Sequence, residues 1–318
     1  MQPTAILAAL GVASLLLASR AASAQVEPPH EGPPPPLPAL SLPEVARDAP
    51  SSPVRWDPGW KSFGVGDYVL TGVAIGVAVG GAVVSPLPHH AYGGILFDNS
   101  VRSVLEIPTS NLGARYVARD TSDVLLSFAA TSPFFFDAMV TAWYQRRSPE
   151  VALQMALIDA EAFAIAGAVQ ETTTALTSRE RPYGGDCGAG LPSTTLDCTN
   201  PGRYRSFFSG HSTLSFTAAG LTCEHHLRLH LFGDAKDTLA CVGALVLAGA
   251  TATLRVASDQ HWATDVIAGS LVGTAIGLGV PALHYSGGEW KDTSTKPGWV
   301  EVRLVPTGMG LGLVGVFR

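Results

Sequence analysis

The 318-residue chain is 47% hydrophobic and only 14% charged, with a formal net charge of −6. So low a charge fraction excludes a disordered chain, and the mild acidity excludes a nucleic-acid-binding surface; no lysine stands between Lys61 and Lys236. A mean hydropathy of +0.25 points towards a membrane rather than a purely soluble domain.

In chain order, Ala5 to Ala18 is an apolar stretch, and Ala22-Ser23-Ala24 supplies small residues at cleavage-site positions. Residues 1–24 therefore read as a cleaved export signal, with an uncleaved anchor helix as the alternative. Residues 25–60 read as a tether, because residues 28–58 hold eleven of the chain's 23 prolines and proline favours extended, unpaired backbone. Beyond Lys61 the chain turns helical and Ala/Gly-rich. Tyr68–Ser85, Thr238–Leu254 and Val266–Leu283 carry no charge over stretches at the lower end of what crosses a bilayer. Asp123–Trp143 and Val151–Gln170 are apolar but hold Asp137, Asp159 and Glu161, carboxylates that a bundle interior would have to satisfy. Gly269 and Gly273 are spaced to let two helices approach closely. The expected fold is all-α, a bundle of about six apolar helices over residues 61–288. A C-terminal tail, 289–318, alternates apolar and polar residues around Pro306-Thr307-Gly308 as a short β-hairpin does.

Cys187, Cys198, Cys223 and Cys241 all lie beyond the signal. Four cysteines in an exported chain imply disulfides, with three pairings open. Pairing by proximity, Cys187 with Cys198 and Cys223 with Cys241, closes two short loops. Export and a bundle with the active site on the oxidising, periplasmic side are the expectation. A cleaved signal followed by three spans would instead bring Thr174–Pro182 back to the cytoplasmic side; either the signal stays as a span, or one apolar segment does not cross, or the bundle is not embedded, and the sequence does not decide between these.

Three short stretches carry chemistry. In Arg255-Val-Ala-Ser-Asp-Gln-His261-Trp-Ala-Thr-Asp265, His261 and Asp265 share a helix face, so the carboxylate is placed to fix the imidazole tautomer and leave the other nitrogen nucleophilic. Arg255 brings a planar guanidinium to an anion held there. In Ser209-Gly210-His211, Ser209 is a candidate N-cap, Gly210 admits close backbone approach, and free N–H groups at a helix start bind anions. His211 is placed to protonate a leaving oxygen. Arg181-Pro182 adds a second guanidinium where a helix stops.

Taken in order, these stretches resemble the superfamily of type 2 phosphatidic acid phosphatases, class A acid phosphatases and vanadium haloperoxidases, whose pattern is Lys-x6-Arg-Pro, Pro-Ser-Gly-His and Ser-Arg-x5-His-x3-Asp. The likeness spans roughly residues 120–285. It implies a phosphatase working through a phospho-histidine, with His261 as nucleophile oriented by Asp265, His211 as acid and base, and Arg181, Arg255, Ser209 and Gly210 holding the phosphoryl oxygens. It implies no metal and no cofactor, with vanadate as a phosphate mimic, and a small-molecule or lipid phosphate as substrate. Leu254 and Phe208 replace the family's Ser and Pro, and Thr174 stands at the lysine position. Arg179 is the nearest substitute cation, with Arg203 and Arg205 as others. Two further readings stay open: a vanadate-dependent haloperoxidase, and a non-catalytic envelope protein that keeps the fold. Glu224, His225, His226 and His230 read as an exposed helix end rather than a metal site, and His89-His90 as a solvated loop.

Overall fold

The structure is a computed structural model that describes residues 52–86 and 93–286, together with the backbone of 300–307 and 310–317. The expected signal, most of the tether and the His89-His90 loop lie outside the described residues. For the expected C-terminal hairpin only backbone is described: strands β1 (Val300–Thr307) and β2 (Gly310–Phe317) run antiparallel, Val300 opposite Phe317.

The rest is helical. Helix α1 (Val65–Val83) leads to the short α2 (Asp98–Leu105) and then α3 (Leu112–Ser132), which continues as a π-helix over Pro133–Gln145. Helix α4 (Pro149–Thr177) returns, followed by a loop with the short α5 (Leu196–Thr199), then α6 (Gly210–Leu229), α7 (Ala235–Ala257) and α8 (Ala263–His284). Pro149 starts α4, where its missing N–H costs nothing, and Ser178 ends that helix with a left-handed backbone whose N–H returns to the Thr174 carbonyl.

Helix α6 is the inner element. Its residues are buried along nearly the whole length, and it packs on α8, α7, α3 and α4. The contact with α8 is made by small residues. A methyl group at Gly273 or Gly277 would run into the backbone carbonyl of Thr213 or Thr217, and Thr217 Oγ1 donates to the Gly273 carbonyl at 3.2 Å. Gly269, predicted to allow close approach, lies against the Ser209 carbonyl at the head of α6.

The outer helices present apolar side chains outwards. Val65, Val69, Val73 and Val79 on α1, and Leu239, Val246 and Leu271 on α7 and α8, are at least 60% exposed. Five helical segments are long and apolar enough to cross a membrane by length and composition. An apolar surface this extensive belongs in lipid, so the protein is a membrane protein whose interior mixes small apolar clusters with hydrogen-bonded polar side chains.

The last residues of the expected tether lie against the bundle. Val54, Trp56 and Trp60 pack on a core of Ala138, Ala142, Met155, Leu229 and Tyr285, with the Trp60 and Tyr285 ring centroids 4.7 Å apart. The four cysteines pair locally, Cys187–Cys198 across the loop after α4 and Cys223–Cys241 between α6 and α7.

Candidate active site

The C-terminal end of α4, the start of α6 and the turn joining α7 to α8 meet at one end of the bundle, and they bring the three motifs together. Residues 258–262 make that turn, which Asp259 enters with a left-handed backbone (φ 59°). Its carboxylate is gripped by Arg102 and by Arg115, each at 2.7 Å. The turn is thereby pinned to α2 and α3.

His261 is buried, and its Nδ1 lies 2.8 Å from the Ser206 carbonyl oxygen. A carbonyl only accepts, so Nδ1 carries the proton and Nε2 keeps its lone pair. Burial, reinforced by the guanidiniums of Arg181 and Arg255 and by His211, holds this imidazole well below the usual histidine range, so it is neutral at physiological pH.

The expected direct bond from Asp265 to His261 is not made; the two approach only to 3.8 Å. Asp265 works one step back. It accepts from Ser206 Oγ at 2.5 Å, from the Trp262 backbone N–H at 2.9 Å and from Arg179 at 2.5 Å. It therefore fixes both the residue whose carbonyl orients His261 and the start of α8. The reason is geometric: His261 precedes α8, and Asp265, in the first turn of that helix, accepts the backbone N–H of its N-cap residue Trp262, which turns the carboxylate to the backbone rather than to the imidazole.

Arg181 and Arg255 converge on one acceptor, Gln260 Oε1, at 2.9 and 3.4 Å. Arg255 is buried and also donates to Ser122 Oγ and Asp123 Oδ1, both at 3.0 Å, while its Nε has no hydrogen-bond partner among the described residues. His211, in the first turn of α6, puts Nε2 2.6 Å from the same Asp123 oxygen. Ser209 caps α6, its Oγ accepting from the Ser212 N–H. Gly210 follows, where a methyl group would press on the Gln170 amide.

Arg179, expected as the substitute cation, is committed elsewhere. It is buried with its guanidinium divided among Asp265, Asp98, Thr264 and the Gly93 carbonyl. Arg203 is paired with Glu180, and Arg205 with Glu171. At the lysine position Thr174 is buried and bonded to Gln170, whose Nε2 donates to it at 2.8 Å. A neutral amide and hydroxyl therefore stand where the pattern has a cation.

Asp123, Ser122, Ser206, Gln260 and Gln170 were not singled out from the sequence. Gln260 sits inside the third motif, and its place beside His261 was the one available signal. Asp123 is separated from His211 by 88 positions, and no spacing pattern reaches that far.

Two acidic groupings have the closeness a cation needs, but each already holds a side-chain cation. Glu106, Asp186 and Asp259 surround Arg102 and Arg115, while Asp67, next to Glu161 and His284, pairs with Lys61. The cluster read as an exposed helix end is instead partly interior. His225 and His226 are fully buried, His225 against Asp159 and Tyr285, His226 between Asp137 and Asp237; His230 alone is exposed. Helix α6 runs through the middle of the bundle, so its last turns face helices rather than water.

Residues 156–287 match the family model described as PAP2 superfamily. No curated protein and no solved structure matches the chain.

Proposed function

From a PAP2 superfamily region at residues 156–287, a superfamily whose members are generally phosphatases, we propose that the chain hydrolyses a phosphomonoester or pyrophosphate, a lipid phosphate by preference, through a phospho-histidine. The observation that carries the reading is the Ser206 carbonyl on His261 Nδ1, which leaves Nε2 as the lone-pair nitrogen beside two guanidiniums.

In the proposed reaction His261 Nε2 forms the bond to phosphorus and the bond to the leaving oxygen breaks. That oxygen takes the Nε2 proton of His211 in its imidazolium form, which burial and Arg255 disfavour in the free site, holding the ring down to about 4, and which Asp123 and a bound phosphate dianion favour. A water then attacks phosphorus, gives its proton to His211, and the N–P bond breaks to release phosphate and neutral His261. Arg181, Arg255 and the backbone amide of Gly210 hold the phosphoryl oxygens as charge develops, while the Ser209 N–H is given to the Asp265 carbonyl at 3.1 Å and fixes the head of α6; the unpartnered Arg255 Nε is a donor for one of the phosphoryl oxygens. The residues need no metal and no cofactor for this, and vanadate binds in the same place as a phosphate mimic.

The apolar outer surface is the support for a lipid substrate, and the disulfide in the loop after Arg181 supports an exported site facing the periplasm. The test is phosphate release from a panel of lipid and water-soluble phosphates by the purified chain. His261→Ala and His211→Ala are each expected to abolish release while the far-ultraviolet helical signal is kept. Turnover near wild type in either variant removes this mechanism, and no release with any substrate favours the non-catalytic reading.

A further inference from the structure

Away from the phosphate site, a groove of about 580 Å³ opens between the α3–π-helix segment and α4. Its walls are Phe128, Phe134, Phe135, Phe136 and Phe163, and its one charged residue is Asp159. The wide turn of the π-helix sets the consecutive Phe134, Phe135 and Phe136 along one side, each half-exposed towards the lipid-facing surface. The volume falls within the range of pockets that enclose a small organic molecule.

Asp159 is buried and its two oxygens differ. Oδ1 lies 2.8 Å from His225 Nε2, and His225 Nδ1 lies 2.7 Å from the Tyr285 hydroxyl. The consistent assignment is Tyr285 O–H donating to Nδ1 and Nε2–H donating to Asp159, so Asp159 is an acceptor. Oδ2 is buried with no hydrogen-bond partner among the described residues. A buried carboxylate oxygen left unpaired is costly unless something donates to it.

We propose that this groove is a second binding site, for a long-chain molecule with one hydrogen-bond donor, a hydroxyl or an amine, on otherwise unbroken hydrocarbon. The rings take the chain, and Asp159 Oδ2 accepts from the donor. The occupant is not the phosphate headgroup: Asp159 stands fifteen residues before Thr174 on α4, about 22 Å along the helix, and a carboxylate repels an anion. Its binding is independent of the chemistry at His261.

The experiment is native mass spectrometry of the detergent-purified full chain with octadecan-1-ol, octadecylamine or octadecanoic acid added at equal concentration. One molecule of the alcohol or the amine is expected to stay bound per chain, with the acid retained at least tenfold less; which of the two is held more tightly identifies the donor. Asp159→Leu and Ala160→Trp are each expected to lower retention tenfold or more. Ala160 is an exposed residue of the groove wall, so the tryptophan fills the groove and leaves the Asp159–His225–Tyr285 chain intact. That variant decides the matter if Asp159→Leu fails to fold, and a wild-type thermal midpoint in it reports an intact bundle. Equal retention of the acid, or wild-type retention in Ala160→Trp, overturns the proposal.

Discussion

At the scale of single residues, a neutral threonine, Thr174, stands at the lysine position of the pattern, and a carboxylate, Asp123, is bonded by His211 and Arg255. Because Arg179 is already divided between two aspartates, Thr174→Lys is expected to add a charge-assisted contact of about 1.5–3 kcal/mol rather than to meet a like charge. Vanadate inhibition should tighten by roughly ten- to a hundredfold, and an unchanged inhibition constant would mean the position lies out of reach of the anion. Asp123→Asn, which removes the competing charge from His211 and Arg255, should also tighten vanadate binding while slowing turnover, because His211 loses the partner that holds its proton. Steady-state kinetics and inhibition on the same preparation separate the two effects. For His261 the sign follows from burial and two neighbouring guanidiniums, which favour the neutral ring. In the free protein its ring should titrate well below pH 6.5, and Arg255→Gln should move that titration upwards. Histidine NMR across a pH series reads the shift directly; a ring that titrates near its ordinary value in wild type would remove the case for a neutral nucleophile.

At the scale of elements, the contact of α6 with α8 decides whether the motifs meet, since one helix carries Ser209–His211 at its head and the other starts at His261–Asp265. That contact depends on glycines whose added methyl groups would strike backbone, which cannot rotate away. Gly273→Ala is expected to cost about 1–3 kcal/mol and to lower activity through displacement of the α8 start. Gly279→Ala, on the same helix with open space around it, should be neutral or slightly stabilising. Thermal unfolding of the two variants side by side tests this; equal midpoints would show that the helices can part without loss. The turn of residues 258–262 is tied by Asp259 to Arg102 and Arg115 from helices far away in sequence, so the third motif is held by α2 and α3 as much as by its own helices.

For the whole molecule, apolar outer surfaces and a partly polar interior describe one solvent arrangement, with lipid outside and hydrogen-bonded carboxylates inside. Glu161 with His284 and Asp159 with His225 are such interior pairs. The two disulfides tie the loop beside the site and the junction of α6 with α7. Peptide mapping of protein isolated without reductant should find Cys187 joined to Cys198 and Cys223 to Cys241. Reduction should destabilise by about 3 kcal/mol per short loop closed. Recovery of all four as free thiols would place the loop after α4 in a reducing compartment.

The helical character, the apolar runs, the presence of disulfides though not their pairing, and the three motifs were legible in the sequence, because each rests on composition or on interactions within a few positions: a charge-free run, a cap, a Gly spacing, a His and an Asp four apart. What needed tertiary structure was every relation between distant segments. Spacing placed Asp265 on the face of His261, yet its bond to the N-cap N–H of α8 turned it to Ser206 and Arg179, 59 and 86 positions away. Counting charges offered Arg179 as a substitute cation; in the structure it is bonded to Asp98, 81 positions away at the start of α2, and to Asp265. Asp123 entered the site, and His225 and His226 the interior, only once α3 and α6 lay side by side. Sequence-local hydrogen bonds and hydrophobic periodicity are encoded by neighbours along the chain, whereas the partner of a buried charge is chosen by whichever helix packs against it.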